Sequence, residues 1–322
     1  MEKLVSIVIP CYNHEKYIDD CMASMMAQTY PAMEIIIVDD ASDDNSFEKL
    51  KKWEQKLCNR FKRVVIRRNE TNQGITKNLN DMLRLCRGAY IKPMASDDML
   101  FPDAVTALAS FAEKSDADII FSNTASVENS FCYGQLEKRR FTYHFKQNPP
   151  QGRGLTGRLC AGNYIPAPGI LVPYRTYEKY GFYNEDFLFE DWEYLLRVST
   201  KGTIRYLNKP TALYRTGQHS LSHFGKGDEE KQRHRLFHEH KKKMLQLYKE
   251  YADKGQMAEF YNTEAVSAMN MDDRELVSQI LAEMQEEGLA VSANNRLRLL
   301  LMKLHVYLPL KKIKEALWMR VK

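Results

Sequence analysis

Two pairs of adjacent acids, Asp39-Asp40 and Asp97-Asp98, and one aromatic-amide pair, Tyr12-Asn13, stand out in this chain as residues able to do chemistry. Paired carboxylates can hold a hard cation such as Mg²⁺ or Mn²⁺, which takes oxygen ligands from protein and phosphate together. The plainer reading of any one cluster is a helix cap, a role open to Asp43, Asp44 or Ser46 just downstream. Other ways of holding a phosphate are missing. The turn Pro10-Cys11-Tyr12-Asn13-His14-Glu15 contains no glycine, so a dinucleotide fingerprint is excluded, and no G-x-x-x-x-G-K-[ST] loop occurs. A bound diphosphate would have to be neutralised through a cation on carboxylates.

The elements that must carry these residues alternate. The β-branched run Val5 to Pro10 predicts a buried strand, and Ile18, Cys21, Met22 and Met25 a helix over Tyr17 to Met26. Glu34 to Val38, Val64 to Ile66, Ala89 to Lys92 and Asp118 to Phe121 read as further strands. Helices are expected over Phe47 to Leu57 and Ile75 to Cys86, and from near Pro102. Such alternation predicts an α/β fold with a doubly wound, mostly parallel sheet. In open sheets of this kind ligands bind at the carboxyl ends of the strands, and all three polar clusters fall at such ends.

From Asn123 to about Gly162 the pattern is irregular, as binding loops tend to be. Order returns with Gly169 to Val172, a helix around Arg175 to Tyr180, a helix from Asp191 to Thr200 and two short strands near Ile204 and Leu213. From Gly227 the sequence is charged and helix-favouring, with no convincing strand. The expected organisation is a domain over 1–226, with a nucleotide-binding half (1–100) and an acceptor-binding half (101–226). A helical C-terminal extension over 227–322 completes it.

Composition narrows the classes. A formal charge of +5 over 322 residues is too small an excess for a nucleic-acid binder. Six cysteines without a C-x-x-C pair indicate neither a zinc ribbon nor a redox motif, and reduced thiols fit a cytoplasmic protein. The first apolar run is too short for a signal peptide, and no segment approaches the ~20 apolar residues that cross a bilayer. His219 and His223, and His234 and His238, are spaced four apart. Without a nearby cysteine or an H-E-x-x-H order they weigh little toward a transition-metal site.

The chain resembles the family 2 inverting glycosyltransferases of the GT-A fold, of the bacterial surface-polysaccharide type. The resemblance runs from about Val5 to Ser222. It rests on Val5 to Asn13, Gln28-Thr29-Tyr30, Glu34 to Asp44, Asn72-Gln73-Gly74-Ile75, Lys77-Asn78, Ser96-Asp97-Asp98, Glu190-Asp191 and Tyr214-Arg215. It implies a nucleotide-diphosphate sugar donor, with UDP favoured, and a glycan or lipid-linked glycan acceptor. Pro10 and Tyr12 would lie along the base, with Asp40 or Asp39 hydrogen-bonding its edge, and Asn13 would also contact the donor. Asn72, Gly74 and Lys77 would belong to the donor site. Asp97 would sit near the ribose, and Asp98, with Asp97, would hold Mn²⁺ or Mg²⁺. Where the family reads Asp-x-Asp-Asp, this chain has Ala95 in place of the first acid. Asp191 would be the general base, Glu190 would orient the acceptor, and Gly169 would belong to a tight turn beside it. Trp192 offers either a flat face to a sugar or a packed core ring. Arg215, Gln218 and His219 would form a loop closing over the diphosphate.

Residues 296–322 interleave Arg296, Arg298, Lys303, Lys311, Lys312, Lys314, Arg320 and Lys322 with leucines and Trp318, against a single acid, Glu315. Two readings stand. The segment is an interfacial helix, giving peripheral contact with the inner face of the cell membrane, or it packs on the catalytic domain or a second copy as a homodimer. Two other functions compete with the transferase. A catalytically silent sugar-nucleotide binder would have no need of Asp98 and Asp191. A nucleotidyltransferase would usually carry a basic, glycine-rich loop after the first strand.

Overall fold

Strand β1 (Val5–Cys11) is buried except at the half-buried Pro10 and lies between β2 (Met33–Asp39) and β4 (Tyr90–Pro93), with β3 (Val64–Arg68) outside β2. These four strands are parallel. Helices α1 (Ile18–Met26), α2 (Ser46–Arg60) and α3 (Ile75–Leu85) connect them, as continuous β-branched runs joined by amphipathic helices require. Glu34 fixes the pairing from inside. Its buried carboxylate accepts from Ser6 Oγ at 2.6 Å, the Arg87 amide at 2.6 Å and Arg63 at 3.0 Å. The registers Cys11↔Asp39 and Asp39↔Arg68 bring the carboxyl ends of β1, β2 and β3 to one edge. The computed structural model describes residues 2–216 and 227–303, together with Tyr307 and Lys311.

The later strands depart from the sequence expectation in instructive ways. Strand β8 is only Val172–Pro173 and joins β4 antiparallel; a short 3-10 turn, Ala167–Gly169, precedes it. A second sheet has the order β5-β9-β6-β7, formed by Met99–Leu100 (β5), Ile119–Glu128 (β6), Thr142–Tyr143 (β7) and Ile204–Thr216 (β9). Strand β6 runs on through Glu128, so 123–128 is not irregular. Strand β9 is one strand of 13 residues, not two short ones, because it pairs with β6 across a register shift at Asn123. Helix α4 (Ala104–Glu113) lies between β5 and β6 in sequence; α6 (Tyr174–Tyr180) and α7 (Glu190–Ser199) follow β8.

The chain divides into two compact units, Met1–Leu155 with Tyr164–Ser220, and Thr156–Asn163 with Leu221–Lys322. Helix α5 (Thr156–Ala161) thus belongs with the C-terminal helices. Those are α8 (Asp228–Gln246), α9 (Lys254–Asn270, opened by an Asp253/Gln256 capping box), α10 (Arg274–Glu286) and α11 (Ala293–Lys303). At their centre His238 on α8 is fully buried between two carboxylates, Glu264 on α9 at 3.1 Å and Glu283 on α10 at 3.3 Å. Lys241 and Lys242 pair with the same two acids, and Gln279 donates to Glu283. Burial opposes the imidazolium, but the two glutamates outweigh it and raise its pKa, while Glu264 is held down at about 2. His234, also on α8, is pushed the other way by its own burial.

A histidine with a raised folded pKa contributes stability that is complete below its unfolded value of ~6.5 and is lost as pH rises through the folded value. The protection of amides in α8 and α9 of the whole chain, taken relative to intrinsic base-catalysed exchange, is therefore expected to fall above neutral pH. His238→Gln should remove that dependence, and an unchanged slope would refute the ion network.

Candidate functional site

The site lies in the sheet-bearing unit, where the strand ends meet. Pro10, Asp98, Glu190 and Asp191 line one cavity of about 170 Å³, together with Tyr183, Tyr194 and Tyr214 and a set of aliphatic side chains. Residues 10, 98 and 191, far apart in sequence, thus face one space.

Of the two acidic pairs, the first is largely consumed in building the site. Asp39 is fully buried and accepts from Ser42 Oγ at 2.6 Å and the Ser42 amide at 3.1 Å, with Arg68 3.5 Å away. Ser42 Oγ in turn accepts the Asn13 amide at 2.9 Å. Asn13 adopts φ +54°, a left-handed conformation that asparagine tolerates, and its side chain accepts the Asp43 amide. Asp39 and Asn13 therefore bind each other's loops. Asp40 holds the next loop, accepting from Asn69 Nδ2 at 2.8 Å, the Gln73 amide at 2.8 Å and the Gly74 amide at 2.9 Å. A carboxylate offers about four lone-pair sites, so one direction remains for a ligand. Gly74 needs its glycine, since φ +81° with ψ 158° is closed to side chains. Asn72 caps the same amide at 3.1 Å, and Lys77 is exposed and donates to Gln73 at 2.6 Å. Tyr12 is 43% exposed at the end of β1, which leaves a ring face for a flat partner.

The second pair is different. A turn from Ala95 to Asp98 follows β4; Asp98 is buried, and its Oδ1 accepts the Arg215 amide at 2.9 Å. Its other oxygen receives no donor among the described residues. Burial, then the charge of Asp97, raises the Asp98 pKa well above the usual carboxylate range. A divalent cation relieves that kind of strain, so hard oxygen ligands on Asp97 and Asp98 fit one. His14, unremarked in the sequence, bonds Ser96 Oγ at 2.7 Å and stands 4.0 Å from Asp97. Lys92, also missed, is fully buried and donates to the carbonyls of Pro93 (2.7 Å) and Pro168 (2.8 Å). Burial draws its pKa down to about 7 against the pull of Asp98. A lysine in the apolar strand Tyr90-Ile91-Lys92 was the available signal.

Arg215 is not a loop residue. It belongs to β9 and is 2% exposed. Its guanidinium donates to the carbonyls of Asp97 (3.0 Å), Asn129 (3.0 Å) and Phe131 (2.9 Å), pairs with Asp20 at 3.2 Å and lies over the Tyr17 ring. Gln218 and His219 lie outside the described residues. Asp191 opens α7, and its carboxylate accepts the Trp192 amide at 2.7 Å. Burial, then Asp191, pushes the Glu190 pKa up to about 8. Trp192 is a packed ring, buried against the edge of Phe189, and does not line the cavity. Gly169 is likewise a packing position, since a Cβ there would meet the Ser122 carbonyl at 2.7 Å; Ala167 and Pro168 are the turn's cavity residues. The phenol of Tyr214 is raised by burial and by Asp98, Asp97 and Asp191, which puts it among all three acids. In the helical unit the ligand atoms of His238, Glu239 and Glu283 lie within 4.8 Å of one another. Gln279 and Lys242 already donate to those carboxylates, so the group is an ion network.

Residues 6–163 match the family described as Glycosyl transferase family 2. The chain is 32% identical over 134 residues to the glycosyltransferase GlyG of Streptococcus pneumoniae, covering 40% of this chain and 42% of that protein. It is 26% identical over 218 residues to a glycosyltransferase of Haemophilus influenzae, covering 67% and 66%. The chain thus spans less than two thirds of these relatives. Its fold is similar to a fragment of S. aureus TarS in complex with UDP-GlcNAc, with TM-score 0.57, 18% identity, and 90% and 93% of the two chains covered.

Removing a buried, multiply bonded arginine leaves its partners unpaired. Arg215→Met is expected to cost roughly 3–5 kcal/mol in urea denaturation. An unchanged midpoint would show that Arg215 does not hold the site.

Proposed function

We propose, from the premise that this chain belongs to glycosyl transferase family 2 through residues 6–163 in a GT-A fold, that it transfers a sugar with inversion. The donor is a nucleotide-diphosphate sugar, with UDP favoured, and the acceptor is a hydroxyl of a glycan or lipid-linked glycan. The observation that carries the reading is that Asp98 and Asp191 line one cavity. A sugar held there meets both the acid assigned to the metal and the carboxylate of Asp191.

Asp191 takes the proton of the acceptor hydroxyl as that oxygen bonds to the anomeric carbon. The bond from that carbon to the diphosphate oxygen breaks, and the nucleoside diphosphate leaves with the electron pair. Asp97 and Asp98 would hold Mn²⁺ or Mg²⁺, which when bound neutralises charge on the departing diphosphate. Tyr12 stacks on the base, and Asp40 offers its remaining lone pair to the base edge. The aliphatic walls exclude water, favouring transfer over hydrolysis. A TarS complex with UDP-GlcNAc on the same fold supports the donor class. The second reading, a silent sugar-nucleotide binder, gives no role to Asp191 in that cavity.

In Mn²⁺, one nucleotide sugar from a panel of UDP-, GDP-, dTDP- and CMP-sugars is expected to release its nucleotide slowly, faster with acceptor. Binding without turnover favours the silent binder, and pyrophosphate exchange a nucleotidyltransferase. Asp191→Asn should keep donor affinity and lose transfer by about 10²–10⁴-fold; retained transfer would refute the assigned base. At the other end of the chain, no helix among the described residues is long and apolar enough to cross a membrane. Helix α11 nevertheless exposes Leu297 and Leu300 beside Arg296; residues 304–306, 308–310 and 312–322 lie outside the described residues. Co-sedimentation with anionic, but not neutral, liposomes is expected of this basic segment. Equal recovery with both would remove the membrane reading in favour of protein packing.

A further inference from the structure

The antiparallel ladder between β4 and β8 has two pairs, Tyr90 with Pro173 and Ile91 with Val172. One step further it would pair Lys92 with Leu171, but Leu171 turns away to exchange both backbone bonds with Ile120 of β6 at 2.9 Å. The cavity opens where this ladder stops. Pro93, Met94 and Ala95, on the way to Asp98, line it, and so do Ala167, Pro168 and Ile170, from the turn before β8.

Across that break the side chain of Lys92 replaces the missing backbone bonds. Its Nζ donates to the carbonyls of Pro93 at 2.7 Å and Pro168 at 2.8 Å, one from each segment. Nearby amides are engaged elsewhere. Pro166 and Pro168 carry none, the Gly169 and Ile170 amides close the turn on Pro166 and Ala167, and the Met94 amide bonds the Val8 carbonyl at 3.0 Å. The other flank of the turn is held to the second sheet, where the Gly169 carbonyl accepts from Ser122 Oγ at 3.1 Å. Lys92 is fully buried and does not itself line the cavity. A buried lysine is costly to keep, and methionine would match its bulk, so the head group is what sets this position apart. The tie holds in either charge state, since an ammonium offers three hydrogens and an amine two.

We propose that Lys92 is a positioning residue for sugar transfer, clamping the turn Ala167–Gly169 to the end of β4 so that the cavity holding Asp98 and Asp191 keeps the spacing an in-line displacement needs. This rests on the transferase reading, because binding tolerates a looser cavity, whereas attack on the anomeric carbon loses about 10²-fold for a misplacement of ~1 Å.

The test compares the full chain with Lys92→Met, which keeps the bulk and discards the donor, and Lys92→Gln, which keeps an N–H on a shorter arm. Calorimetric titration with UDP, GDP, dTDP and CMP in Mn²⁺ identifies the nucleotide bound and counts intact sites. Nucleotide release to water from the corresponding sugars is then expressed per site. Lys92→Met is expected to bind that nucleotide within about threefold of the parent and to lose about 10²-fold in kcat, with KM little changed. Lys92→Gln should fall between the two. A lower melting temperature and fewer sites with kcat per site unchanged would make Lys92 a stabilising residue only, overturning the inference and leaving the transferase reading intact. A glutamine variant no faster than the methionine one also overturns it, as does loss of nucleotide binding in both. A parent chain that turns over none of the sugars overturns the transferase reading as well.

Discussion

A single buried guanidinium holds the working end of this fold together. Arg215 is surrounded by backbone carbonyls from two separate stretches, 97 and 128–131, and by the Asp20 carboxylate, while its own amide fixes Asp98. Arginine suits this place because its five donors lie in one rigid plane and its charge cannot be discarded. The second sheet, the turn after β4 and helix α1 all meet at this group. The position of Asp98 is set by β9 as much as by its own strand.

Around that centre the acids divide by what they face. Glu34, Asp39 and Asp40 turn inward and accept from backbone and short side chains, acting as fasteners between strand ends. Asp98, Glu190 and Asp191 turn to the cavity, where burial and mutual repulsion raise the proton affinity of Asp98 and Glu190. Glu34 and Asp39 are satisfied in the protein alone, and Asp40 keeps one direction open. Asp98 and Glu190 are left under electrostatic strain that a ligand or proton must relieve.

The parallel strands, their order of polar ends and the helix opened by Asp191 were legible because each rests on local periodicity. What the sequence hid depends on pairing between distant segments. Strand β9 continues through Pro210 because β6 supplies a partner along which β9 bulges at 208–209 and 211, and no pattern within residues 204–216 announces that. Arg215 read as a loop residue because its carbonyl partners come from a region without regular pattern. Trp192 carried both a ligand reading and a packing reading and Gly169 only that of a turn beside the acceptor, and their close packing on Phe189 and Ser122 is set by distant segments.

The bracket formed by Asp40 has a consequence for how this protein can change over generations. One carboxylate gathers donors from positions 69, 73 and 74, and the Gly74 amide is shared with Asn72. Drift in that loop is therefore not independent of the acid across from it. A substitution at 69 removes one donor from a buried carboxylate, a side chain at 74 strains a backbone at φ +81°, and one at 40 leaves the Gln73 amide without its acceptor. Variation at these positions should arrive jointly or not at all, which makes the loop a slow-changing patch on a surface otherwise free to vary.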